Sequence, residues 1–155
     1  MEENVPQERL LIGALLRIPY MIVAEAMERG LSTAGYGDVR AAHLTVFQPL
    51  FERPEGARMT DLAAWAHITK PSMVYLVDYL QIHGYVERTA DPVDGRAQRV
   101  RLTAQGEKVV QTVRGLTRQI EADWAGRIGT TQFEQLKATL RELIVSLRTS
   151  EEDVR

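Results

Sequence analysis

The sequence predicts a mainly α fold carrying one small β-hairpin, an α+β arrangement, and three observations carry that prediction. Two short helical segments are separated by only His67 and Ile68, as a helix-turn-helix requires. Directly afterwards the apolar period changes from 3.6 to 2 over two short runs joined by turn residues. Long amphipathic stretches flank this centre on both sides. Helix, short turn, helix, hairpin, helix is the order of a winged helix-turn-helix framed by long N- and C-terminal helices.

Taken in order, the first helix spans about Leu10 to Met27, with Leu11, Leu15, Ile18 and Ile22 at helical spacing. Pro19 should kink or break it, and Gly30 is placed to cap it. A second helix, Val39 to Phe51, stops before the turn signal Arg53-Pro54-Glu55-Gly56. Thr60 can cap Asp61 to Ala66. Thr69 can cap Lys70 to His83, with Pro71 in the first turn, where its missing N–H costs nothing. Met73, Val74, Val77 and Leu80 form the inner stripe of that helix, and Gly84 stops it. Tyr85 to Thr89 and Gln98 to Leu102 read as paired strands, with Asp94-Gly95 at the tip between them. Thr103 caps a long helix ended by Gly129, and Thr131 to Glu134 fits a capping box for the last one.

Composition sets outer bounds. The 155 residues are 45% hydrophobic and 26% charged, enough to build a packed core and against wholesale disorder. No apolar run reaches the roughly 20 residues a membrane-spanning helix needs. The acidic start Met1-Glu2-Glu3-Asn4 does not read as a signal peptide, so the cytoplasm is the expected location. With no cysteine, disulfides, thiolate metal sites and thiol redox switches are excluded. His43, His67 and His83 lack metal-ligand spacing, and no cofactor or metal is expected.

A net charge of −2 does not announce a nucleic-acid binder, so a DNA argument rests on local distribution. Between Arg58 and Lys108 there are seven basic and six acidic side chains, but four of the cations (Arg88, Arg96, Arg99 and Arg101) fall in the hairpin. The second helix of a helix-turn-helix presents polar side chains from its leading turns to base edges in the major groove. Thr69, Lys70, Ser72, Met73 and Tyr75 occupy those turns. Arg96 stands at the hairpin turn, while Arg99 and Arg101 alternate with Val100 and Leu102, which makes one strand face basic and the other apolar. Asp91 and Asp94 are placed to orient Arg96.

These residues carry a family resemblance. The run from Met59-Thr60-Asp61-Leu62-Ala63 through Ile68-Thr69-Lys70-Pro71-Ser72-Met73, Gly84-Tyr85-Val86-Glu87-Arg88 and Asp91-Pro92-Val93-Asp94-Gly95-Arg96 to Leu102-Thr103-Ala104-Gln105-Gly106 resembles the MarR family of bacterial winged-helix dimers. It covers about a third of the chain, and G-Y-V-x-R, D-P-x-D-x-R and L-T-x-x-G in that order are specific together. The resemblance implies a homodimer on a pseudo-palindromic operator in double-stranded DNA. The winged part would occupy residues 39–103 of a single 1–155 domain, and dimerisation helices residues 6–32 and 104–149. It implies that Arg96 enters the minor groove with Asp94 as its support. The family often carries Arg where this chain has Gly95, which removes one phosphate contact. It also implies a small phenolic or anionic effector, in a crevice that Tyr20, His43, Phe47 and Trp65 would line.

The leading function is thus a ligand-responsive DNA-binding transcriptional regulator, a repressor, with no membrane partner. The competing reading is a winged helix used as a protein-interaction module. An enzyme is not expected, because there is no phosphate-cradling glycine loop, nucleophile elbow or paired histidine-carboxylate spacing.

Overall fold

The computed structural model describes residues 10–152, with side-chain burial to Arg148. The acidic start Met1–Asn4, the first residues of the expected helix 6–32 and the end of the tail lie outside the described residues. The elements run α1 (Ile12–Thr33), a 3₁₀ turn (Ala41–His43), α2 (Leu44–Phe51), β1 (Ala57–Arg58), α3 (Met59–Trp65), α4 (Lys70–Ile82), β2 (Val86–Ala90), β3 (Gln98–Leu102), α5 (Ala104–Ile128) and α6 (Thr130–Glu152). The chain divides into two units, one ending at Leu116 and one beginning at Thr117.

The first unit is built around the apolar stripes the periodicity marks. Leu31, Val46, Phe47, Leu50, Leu62, Met73, Val77, Leu80, Val86, Val100 and Val109 are all buried there. The sheet is antiparallel with order β1-β3-β2, so β3 is central. The β2–β3 register pairs Val86 with Leu102 and Ala90 with Gln98. The third strand, β1, pairs Ala57 with Val100 and Arg58 with Arg99. It is only two residues long, too short to show a period, and it follows directly on the turn signal Arg53-Pro54-Glu55-Gly56.

Several expected boundaries move. α1 runs unbroken through Pro19. It ends at Gly35, whose φ of +91° suits a residue without Cβ; Tyr36 N–H donates to the Leu31 carbonyl at 2.8 Å, closing the turn. Gly30 is therefore inside the helix and serves packing, since a Cβ there would fall 2.4 Å from a Leu116 methyl. α3 starts at Met59, one residue ahead of the expected cap Thr60, and has no side-chain cap. α6 likewise starts at Thr130, ahead of Thr131.

In the second unit Phe133 is buried, and Lys137 lies 5.4 Å from its ring centre while donating to Glu121 at 2.9 Å. α6 continues to Glu152. Among the described residues no helix is long and apolar enough to cross a membrane.

Candidate nucleic-acid interface

The leading end of α4 is fixed by its own chemistry. Thr69 is in an extended conformation, and its Oγ1 accepts the Ser72 N–H at 3.3 Å. The two hydroxyls also meet at 2.9 Å, so one hydroxyl hydrogen is shared between the pair. Thr69, Lys70, Ser72 and Tyr75 are exposed, Tyr75 by 74%. Met73 is a correction to the expected reading set. It is fully buried, because Met73, Val77 and Leu80 step by 4 and 3 along the face turned to the core. Ahead of this helix His67 takes a left-handed φ of +52°, and Ile68 N–H reaches the Ala63 carbonyl at 3.1 Å. That geometry closes α3 and turns the chain into α4 within two residues.

Tyr79, one turn beyond Tyr75, is held inward. Its hydroxyl donates to the Asp38 carbonyl at 2.9 Å, and its ring lies between His43 (4.5 Å) and His83 (4.1 Å). Tyr85 donates to the Asp38 carboxylate at 2.9 Å, and burial together with that bond pushes its hydroxyl pKa up to about 12.

The hairpin sorts its cations. Arg88 bonds Asp78 and Gln81 of α4, tying β2 to that helix. Arg101 donates to Glu87 at 2.5 Å across the β2–β3 pair. Arg99 donates through Nε to Asp91 at 3.0 Å. Arg96 alone of the four has no side-chain partner among the described residues, and it stands exposed at the tip. Asp94 supports the tip through the backbone rather than the guanidinium: its carboxylate accepts the Arg96 N–H at 3.1 Å and its carbonyl accepts the Ala97 N–H at 2.8 Å.

Asp91 does not orient Arg96 either. Its side chain has no accessible surface. Oδ2 accepts Nε of both Arg58 (2.7 Å) and Arg99 (3.0 Å), while Oδ1 accepts the N–H groups of Val93 (2.8 Å) and Asp94 (3.2 Å). The bond from Arg58, reinforced by the loop amides and Arg99 and opposed by desolvation, holds this carboxyl far below the usual carboxylate range. Sequence reading counted Arg58 only as one cation among seven. Its register opposite Arg99 depends on β1, which the pattern does not reveal.

The motif glycines and threonine of the wing have a shared mechanical basis. Gly84 ends α4 at φ +77°, with Tyr85 N–H donating to the Leu80 carbonyl at 2.9 Å. Thr103 Oγ1 donates to the Gly84 carbonyl at 2.6 Å and accepts the Gly106 N–H at 3.1 Å, while Thr103 N–H donates to the Tyr85 carbonyl at 3.1 Å. A Cβ on Gly106 would sit 2.1 Å from that carbonyl oxygen, so only glycine fits.

Of the expected effector crevice, Tyr20 is exposed and Trp65 half-buried, but His43 and Phe47 are core. Phe47 packs edge-on to Tyr85 at 6.1 Å. His43 Nδ1 accepts the Arg40 N–H at 2.9 Å, and burial lowers its pKa, which keeps the ring neutral. A cavity of about 260 Å³ opens elsewhere, between Leu50, Phe51, Pro54, Leu102, Glu107 and Gln111, and none of the four lines it. Among the described residues no cluster of three or more His, Cys, Asp or Glu side chains could hold a metal ion.

A helix-turn-helix with a polar leading turn, backed by a hairpin whose tip arginine is uncommitted, defines a winged-helix DNA-binding transcriptional regulator. The MarR family model matches residues 51–97, which span β1 to the wing tip. The chain is 24% identical over 107 residues to the transcriptional regulator HosA of Escherichia coli O111:H-, covering 69% of this chain and 78% of that one. Its fold matches a MarR-family transcriptional regulator from Rhodococcus sp. RHA1 with a TM-score of 0.71 and 26% identity, over 85% of this chain and 92% of that one. It also matches CouR from Rhodococcus jostii RHA1 bound to p-coumaroyl-CoA, with a TM-score of 0.70 and 26% identity, over 85% and 90%. Over the helix-turn-helix and wing the chain thus matches the MarR family model, and its fold is that of MarR-family regulators.

Proposed function

We propose that this protein is a ligand-responsive repressor that acts as a homodimer in the bacterial cytoplasm on a pseudo-palindromic operator. The observation that carries the DNA reading is the pairing pattern of the wing. Three of its four arginines are bonded to acceptors within the protein, and Arg96 stands exposed at the tip next to an α4 whose leading turn is polar. In the proposed complex Thr69, Lys70, Ser72 and Tyr75 meet the major groove and its phosphates, and Arg96 enters the adjacent minor groove.

A second copy is supported by apolar surface exposed on long helices of each unit. On α1 the stripe Leu11, Leu15, Ile18 and Ile22 remains 40–80% exposed, and on α6 Leu136, Leu143, Ile144 and Leu147 are exposed. Such stripes on long helices are the usual material of a twofold interface. Two-fold pairing would place two recognition helices roughly 34–36 Å apart, one turn of DNA. The effector is supported by the CouR complex with p-coumaroyl-CoA, and it acts by binding the released conformation more tightly.

Chromatin pull-down with sequencing, followed by anisotropy titration against the recovered sites, tests this reading. Salt-sensitive binding at a pseudo-palindrome is expected. Sequence-independent or absent binding would overturn it.

A further inference from the structure

We propose that Arg58 and Arg99 together form a second phosphate-binding subsite at the foot of the wing, with Arg58 a DNA contact in its own right. This rests on the DNA-binding reading above and adds a residue to it.

The two arginines are direct cross-strand neighbours on β1 and β3. Both reach the same oxygen of Asp91 through Nε, at 2.7 and 3.0 Å, so the two guanidinium groups converge. The carboxylate is completely buried and its other oxygen is filled by two loop amides, so it cannot swing out to neutralise them further. One buried carboxylate therefore bonds two guanidinium groups, while Asp94 and Asp61 act on Arg58 only through space. A structural tie between β1 and the wing needs one arginine; the second adds like-charge repulsion unless an anion joins from outside. The side chains of Arg58 and Arg99 are 40% and 23% exposed, and the terminal amines of each guanidinium have no acceptor among the described residues. A fork of N–H donors whose terminal amines are left open to solvent is the arrangement that binds phosphate oxygens.

Arg58 also lies where a phosphate is expected. It is the residue directly before α3, the first helix of the helix-turn-helix, and that helix crosses the sugar-phosphate backbone when the second sits in the major groove. Arg88 and Arg101 do not compete for this role, because each is paired with a carboxylate of its own, Asp78 and Glu87.

The test is a salt series, between about 50 and 200 mM, of anisotropy titrations on a mixed-sequence duplex, where phosphate contacts alone supply the affinity. Arg58→Gln should weaken binding about tenfold at the low-salt end and flatten the slope of log K against log salt by about 0.9. Unchanged affinity overturns the proposal. A weaker affinity with an unchanged slope also overturns it, because Arg58 would then only position the wing. If Arg58→Gln does not fold, Arg99→Gln and Arg58→Lys take its place: the first should flatten the slope and the second preserve it, and the reverse pattern overturns the proposal. Wild-type protein that binds no duplex removes the DNA reading itself, an outcome distinct from wild type binding with variants indistinguishable from it.

Discussion

Arg96 and Asp91 show how one loop divides its labour between holding and touching. Arg96 has its backbone fixed by Asp94 and its guanidinium left over. Replacing it by alanine should cost DNA binding about 1–3 kcal/mol, while the melting temperature stays within the range of ordinary surface changes. Titration and thermal melting of the same sample check both halves. Asp91 is the reverse case, with every acceptor position engaged inside the protein. Its carboxyl pKa is depressed on folding, so its stabilisation is complete above the unfolded value, near 4, and is lost as pH falls from there through the folded value. Melting curves from pH 6 to about 2 should show a steeper acid loss for wild type than for Asp91→Asn. Parallel curves would mean other carboxylates dominate. The sequence identified both aspartates as wing residues; Asp94 supports Arg96 through its backbone, but Asp91 takes a task the sequence did not assign it, because which guanidinium meets which carboxylate is set by strand register across 33 residues of chain.

At the scale of elements, the long or strongly periodic ones were legible and the short ones were not. The α4 cap at Thr69, its stop at Gly84 and the span of β3 follow from local chemistry and appear where that chemistry puts them. β1 is held by its neighbour rather than by any pattern of its own. The first helix ran past Gly30 because a glycine can mark either an end or a close approach, and only the nearby Leu116 decides between them. Gly106 is the sharper case. The added methyl of Gly106→Ala would strike backbone rather than a flexible side chain, so destabilisation of about 1–3 kcal/mol or more is expected in a denaturant titration. Gly115, with open space around its Cβ position in the same helix α5, should tolerate alanine or gain up to about 1 kcal/mol.

For the molecule as a whole, the composition gave little and the distribution gave most. A net charge of −2 conceals a wing whose cations are mostly spent on internal ties. The effector crevice was the least legible feature. Phe47 and His43 carry the residue types of a ligand pocket, yet they fill core positions, and a single chain's sequence does not say which aromatic side chains will find a protein neighbour first. The exposed α1 stripe leads to a direct expectation: sedimentation should give twice the chain mass, and Leu15→Glu with Ile22→Glu should reduce it to one chain without unfolding the winged part. A monomeric wild type at micromolar concentration would remove the twofold operator from the picture.

The knot at Thr103 has a consequence for how such a protein could be switched. Three hydrogen bonds there tie the tail of α4, the root of the wing and the front of α5 into one joint. A displacement of the first turn of α5 would therefore bear directly on the end of α4 and the root of the wing. What an effector can alter is then the stance of each half on the duplex, while the grip within each half stays the same.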